Sequence, residues 1–308
     1  DIQQMNMKNI EQLNNDFAIQ DQLSIIEGEG GLPFIKIDNG TAAALISIYA
    51  GQVLSYRPAD EPADLLFLSD QAYYQEGKAI KGGIPVCWPW FGPDPEEKGR
   101  PGHGFVRNRY WALSGTEATP EGDTKVVLEL TDSDEIREIW PHPFHLVQEI
   151  TIGASLTVKL ITRNTGDRSY TITQALHTYF KVGNIAGVKV LGLENLQYID
   201  KVDNGLEKTQ ADGVNISEEV DRIYTGVQGD LTIDDVELGR RILISSIGSR
   251  TAVVWNPWAK VAAEMADLGD DDYKRLICVE TANAADEIVE IPSGGESRLV
   301  AHYKIIRD

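Results

Sequence analysis

Most of the proton-transfer chemistry available to this chain lies in five histidines and a few carboxylates. His177 sits in Ala175-Leu176-His177-Thr178-Tyr179-Phe180, directly after an alternating strand pattern. Imidazole titrates near neutral pH and suits a general acid or base. The same apolar surroundings equally suit a hydrogen-bonded core histidine. Glu280 closes the run Leu276-Ile277-Cys278-Val279-Glu280. A carboxylate there is costly unless paired or solvated, so it reads as a base of tuned pKa or as a salt-bridged strand end. His103 lies between Gly102 and Gly104. Such glycines let the backbone approach a ligand closely, although a turn histidine is the plain alternative. Asp221 follows Glu218-Glu219 and by itself reads as a solvated acidic turn.

Other groups carry less. His142 and His145 form an H-x-x-H with no further ligand at zinc spacing, and His302 falls in a C-terminal strand pattern. Walker A, G-x-S-x-G and C-x-x-C patterns are absent, and Gly82-Gly83 make no dinucleotide fingerprint. These features argue against a nucleotide cofactor and against covalent Ser or Cys catalysis. No metal site is expected.

Strands must position these groups. Leu156-Thr157-Val158-Lys159-Leu160 and Tyr170-Thr171-Ile172-Thr173-Gln174 alternate apolar with polar residues, as does part of Leu299 to Ile306. Further β-rich runs are Ala42–Tyr49, Val126–Leu130, Leu146–Ile152, Gly187–Leu193, Ile242–Ile247, Thr251–Trp255 and Leu276–Glu280. Turn residues such as Asp38-Asn39-Gly40 and Asp203-Asn204-Gly205 punctuate them. Helix signals are short. Asp132 to Trp140 has a cap at Asp132 or Ser133 and a stop at Pro141, and residues 7–16 suggest another. This is an all-β pattern, expected to form a large antiparallel sandwich. With no linker, residues 1–308 are expected to be one domain, with 1–22 as a loosely ordered extension.

Charge narrows the partners. Forty-eight Asp and Glu against 28 Lys and Arg leave a formal charge of -20 over 308 residues. That balance argues against nucleic acid and anionic membrane. Yet the Gly- and Pro-rich stretch Lys81 to Tyr110 runs the other way. Lys81, Lys98, Arg100, Arg107 and Arg109 outweigh Asp94, Glu96 and Glu97 for a local +2. Long loops of this composition tend to carry function, and the local sign suits a small anion. Cys87 and Cys278 sit singly among apolar neighbours and read as buried free thiols. No apolar run approaches the roughly 20 residues of a membrane span, and the polar N-terminus lacks a signal design. A soluble cytoplasmic protein is expected.

Six ordered stretches resemble the hexose-6-phosphate mutarotases (glucose-6-phosphate 1-epimerases) of the aldose 1-epimerase superfamily. They are Lys78 to Pro93, His103 to Asn108, Leu176 to Phe180, Asp221 to Tyr224, Val254 to Trp258 and Ile277 to Glu280. The resemblance extends from about residue 42 to the C-terminus. It implies the galactose mutarotase type of β-sandwich and the interconversion of α and β anomers of a hexose 6-phosphate, D-glucose 6-phosphate first. It implies His177 and Glu280 as the acid/base pair, and Asp221 and His103 on sugar hydroxyls. It places Lys81 and Arg107 at the phosphate. The mechanism this implies has room for Arg100 or Arg109 as additions there, and for Trp88, Trp90 and Phe91 as a pocket wall, with half of that aromatic cluster expected to be plain core. No cofactor is implied, and the partner is a small hexose phosphate bound by a monomer or weak oligomer. Two positions depart. The family's usual Arg before Gly-Gly is Lys81, which keeps the charge without the bidentate fork. A Gln found before the His-Gly pair in some members is Gly102. Two other readings stay open: a non-catalytic sugar-phosphate-binding module, and a glycosidase using Glu280 with Asp221, which needs two carboxylates at a set separation.

Overall fold

Alternating side chains give each strand two faces, and this chain uses both. The computed structural model describes residues 10–307. Among them, every sheet pairing is antiparallel, and two large sheets dominate. The nine-stranded sheet contains Thr124–Thr131, Phe144–Ile152, Leu156–Asn164, Arg240–Ile247 and Glu296–Ile306. The eight-stranded sheet runs, in spatial order, Leu206–Thr209, Gln197–Asp200, Val220–Thr225, Thr251–Asn256, Leu276–Asn283, Gln174–Leu176 and Val86–Cys87. Its remaining strand, Tyr179–Lys181, also pairs with Leu276–Asn283. An N-terminal meander, Leu23–Glu27, Pro33–Asp38, Ala42–Ser47 and Gln52–Pro58, forms a four-stranded sheet.

The two large sheets share one apolar core. Leu160, Leu299 and Tyr303 come from one sheet, Leu176, Ile277, Val279 and Val254 from the other. Thr178 Oγ1 meets the Tyr303 hydroxyl at 2.6 Å across the gap. Ile277 and Val279 point into this core, so Cys278 and Glu280 must face the other way. Cys278 accordingly packs in a separate cluster with Tyr179 and Phe67. The sandwich core thus fixes which residues of each strand are free to build a site.

The β-rich runs read from sequence fall in strands, with two differences. Tyr170 to Gln174 is divided between Tyr170–Ile172, paired with Val289–Ile291, and Gln174–Leu176 in the eight-stranded sheet. Leu276–Asn283 extends three residues beyond Glu280 and is buried throughout. The helix before Pro141 spans Asp134–Ile139, and the Ser133 hydroxyl caps it by accepting from the Ile136 N–H. Near the N-terminus a helix covers Ile10–Phe17, and Asn14 ties it to both backbone groups of Ile25. The expectations for residues 1–9 lie outside the described residues. Cys87 and Cys278 are buried free thiols. No helix among the described residues is long and apolar enough to cross a membrane.

Candidate active site

One cavity of about 210 Å³ opens on the face of the eight-stranded sheet turned away from the core, and all six sequence candidates line it: Lys81, His103, Arg107, His177, Asp221 and Glu280. Strand register explains much of this. Tyr179, Cys278, Trp255 and Asp221 form one cross-strand row, and Val253 lies opposite Glu280 in the next. Side chains in such rows stand about 5 Å apart on one face. Residues far apart in sequence thereby share one wall.

His177 occupies the break between Gln174–Leu176 and Tyr179–Lys181, its N–H donating to the Pro85 carbonyl. Its ring stacks on Tyr179 at 4.9 Å and 12° and meets Trp255 edge-on at 6.2 Å. Its Nε2 stands 3.4 Å from Glu280 Oε1. Burial pushes the Glu280 carboxyl well above its ordinary pKa. The Asp221 charge adds to this, while Lys201 and Arg107 oppose it. Burial likewise pushes His177 well below 6.5, helped by His103, Arg107 and Lys81. The spacing alone would allow an ion pair. Desolvation of both partners favours the uncharged form, with the single proton of the pair on Glu280.

His103 is held by backbone geometry. Gly104 sits at φ +75°, and a Cβ there would lie 1.8 Å from the Trp88 carbonyl oxygen. Only glycine lets the loop press so closely against Trp88. His103 itself adopts φ +63°, and its ring lies 4.9 Å from Phe91 and 5.5 Å from His177. The Gly92 N–H donates to His103 Nδ1 at 3.2 Å, which leaves the proton on Nε2. Burial, with Arg107, Lys201 and Lys81, pushes this histidine down to about 3. It is therefore a fixed neutral donor. Its ring nitrogens should show the Nε2–H tautomer in long-range ¹H–¹⁵N spectra and no titration from pH 5 to pH 9; a midpoint near 6.5 would refute this.

Lys81 is carried in beside Gly82, whose φ of +115° and close approach to the Phe67 carbonyl exclude a side chain. The Lys81 ammonium pairs with Asp267 at 3.5 Å beside the Met265 sulfur. Arg107 donates to the Gly102 carbonyl at 3.1 Å. Three buried polar atoms of the cavity, Arg107 Nε, His177 Nδ1 and Glu280 Oε2, have no hydrogen-bond partner in the protein. Buried atoms left so cost about 1–3 kcal/mol each, and together they mark a place built for a polar ligand.

Some expectations need correction. Arg100 is not in the cavity: it binds Asp94 through Nε at 2.9 Å and lies over Trp90. Arg109 pairs with Glu135 instead. Trp88 is plain core, with its Nε1 donating to Thr162 and its ring against Trp140 and Phe144. Trp90 is also buried and donates to the Pro101 carbonyl. Of these three aromatics only Phe91 lines the cavity. His142 packs on Trp140 and Tyr170, His145 pairs with Glu129, and His302 bonds Thr157. Among the described residues no group of three or more His, Cys, Asp or Glu is placed to hold a metal.

The cavity also contains residues that sequence reasoning missed: Tyr179, Lys201, Val253, Trp255 and Met265. Tyr179 and Trp255 lie inside the family-like stretches, where nothing local assigns them a role. Lys201 has no signal of its own, because its place depends on pairing with Asp221, its ammonium lying 3.2 Å from Asp221 Oδ2.

Comparison with known proteins finds relatives over most of the chain. The family model for aldose 1-epimerase matches residues 33–304. A "putative glucose-6-phosphate 1-epimerase" of Escherichia coli is 37% identical over 256 residues, covering 83% of this chain and 84% of that protein. One from Cenchrus ciliaris is 37% identical over 264 residues, covering 83% and 79%. The crystal structure of a "putative mutarotase" from Salmonella typhimurium superposes with a TM-score of 0.88 at 32% identity, covering 95% of this chain and 96% of that one. A galactose mutarotase-like protein from Clostridium acetobutylicum, at 16% identity and a TM-score of 0.72 over 94% and 100%, shares the fold.

Proposed function

The chain belongs to the aldose 1-epimerase family of isomerases, and on that premise we propose that it interconverts the α and β anomers of a hexose 6-phosphate, D-glucose 6-phosphate first. The observation that carries this reading is the buried His177–Glu280 pair, 3.4 Å apart, in the cavity that Lys81 and Arg107 also line. Ring opening of a hemiacetal needs one group to take the proton of O1 while another gives a proton to O5. The pair supplies both from its single proton. Transfer of that proton from Glu280 to His177 gives a carboxylate and an imidazolium. The carboxylate takes the O1 proton as the imidazolium protonates O5 and the C1–O5 bond breaks. The aldehyde turns about C1–C2, O5 attacks the other face, its proton returns to His177, and Glu280 returns the proton to O1. This leaves a carboxylate and an imidazolium, and return of the proton from His177 to Glu280 restores the neutral pair, so that atoms and charges balance over the cycle.

The remaining groups fit the substrate. Arg107 and Lys81 pair with the phosphate, while His103 and Asp221 hold hydroxyls. Trp255 offers an aromatic surface to the apolar side of the sugar ring, while Tyr179 backs the His177 ring. Phosphate binding also tunes the acid. Arg107 and Lys81 both depress His177, and a phosphate between them offsets that charge and favours the imidazolium. A cytoplasmic enzyme is consistent with two unpaired buried thiols.

Exchange NMR on [1-¹³C]glucose 6-phosphate is the direct test. The expected result is α/β exchange above the spontaneous rate, in proportion to enzyme, and faster than for glucose at equal concentration. Saturable binding without added exchange would identify a binding module instead, and release of reducing sugar from an aryl glycoside would identify a glycosidase.

A further inference from the structure

The sheet order separates the cations of this cavity. Lys201 follows Gln197–Asp200, which pairs with Val220–Thr225, the strand of Asp221. Thr251–Asn256 comes next, then Leu276–Asn283 with Glu280. On the far side of Glu280 lies Tyr179–Lys181, with His177 just before it. Bridges from Phe180 to Leu66 and from Leu68 to Gly82 then bring in Lys81. With strands about 4.8 Å apart, Lys201 and Lys81 enter from opposite ends, and the catalytic pair lies between them. The local fields agree. Asp221 and Lys201 are the foremost charges acting on Glu280, with Arg107 behind them; Arg107 and Lys81, but not Lys201, act on His177, and all three cations reach His103.

A pyranose has the same polarity. C6 is carried on C5, beside O5, while C2 and C3 continue from C1 in the other direction. With O5 at His177 and O1 at Glu280, the phosphate falls toward Arg107 and Lys81, and the C2 and C3 hydroxyls fall toward Lys201. The Lys201 backbone N–H donates to the Asp221 carbonyl at 2.9 Å, and its ammonium lies 3.2 Å from Asp221 Oδ2. An ammonium has three donors and the carboxylate contact uses one. A donor and an acceptor held side by side match the adjacent hydroxyls of a vicinal diol.

Resting on the mutarotase reading, we infer that Lys201, fixed by Asp221, reads the C2–C3 diol of the hexose and sets which sugar is accepted, with no part in phosphate recognition. The test compares wild type, Lys201→Gln and Lys201→Arg on glucose 6-phosphate, glucose, and 2-deoxy- and 3-deoxyglucose 6-phosphate. A lost hydrogen bond to a charged group predicts a fall of about tenfold or more in kcat/KM for Lys201→Gln. The fall should be similar for glucose and its 6-phosphate, and shrink to about twofold for at least one deoxy analogue. Lys201→Arg should recover part of the loss on glucose 6-phosphate. A fall confined to phosphorylated sugars, an equal fall on both deoxy analogues, or no fall overturns the assignment. A wild type inactive on glucose 6-phosphate overturns the reaction, and this assignment with it.

Discussion

Replacing Glu280 by Gln should slow enzymatic anomer exchange of glucose 6-phosphate by about 10²–10⁴-fold, the usual worth of a placed general base. Gln keeps the shape and fills the same buried site, yet it neither accepts the O1 proton nor shares one with His177 Nε2, 3.4 Å away. Stability separates lost chemistry from lost structure. The folded pKa of Glu280 is raised, so its contribution to stability is complete below the unfolded value and disappears as pH rises through the folded value. Glu280→Gln should therefore melt no lower than wild type at neutral pH and above it in alkali. Near wild-type exchange in this variant would remove Glu280 from the mechanism. A Glu280→Gln variant that melts below wild type in alkali would contradict a buried, protonated carboxyl.

The second large effect belongs to Arg107. Arg107→Ala should cost about 10²-fold in kcat/KM on glucose 6-phosphate, since charge-assisted bonds to phosphate are worth about 1.5–3 kcal/mol each. On glucose the change should stay within about threefold, because there Arg107 meets no anion and acts only through its field on His177, Glu280 and His103. Equal losses on both sugars would show that Arg107 shapes the cavity without binding phosphate. The ratio of the two substrates is the informative quantity, since it cancels general damage to the site. Lys81 is a weaker place for this experiment. Its ammonium already has Asp267 at 3.5 Å, and Lys lacks the fork that lets Arg hold two phosphate oxygens at once.

Much of the site is legible along the chain. The acidic sequence carries a locally cationic loop, and the cavity draws Lys81, His103 and Arg107 from it. Arg100 and Arg109 have the same residue type in the same loop, yet Asp94 and Glu135 claim them. Composition sets how much positive charge a loop carries; the fold sets which cation finds a carboxylate first. The aromatic stretch divides in the same way. Trp88, Trp90 and Phe91 are close in sequence, but the first two are buried against core or loop partners, and Phe91 faces the cavity.

By itself, then, the sequence determined what depends on neighbours along the chain. Alternation forms strands, Ser133 caps its helix, glycine allows the close approach beside His103, and ordered motifs place His177 and Glu280 in a family. Tertiary structure alone decided what depends on register between strands. Asp221 reads locally as a solvated turn, but it lies opposite Trp255, in the row that leads through Cys278 to Tyr179. Lys201 has no motif, and it reaches the cavity because Asp200 pairs with Arg222 and sets it across from Asp221. A slip of one residue in that pairing would send either side chain to the opposite face, and the packed core between the two sheets, with the turn that Asp200 pins, prevents it.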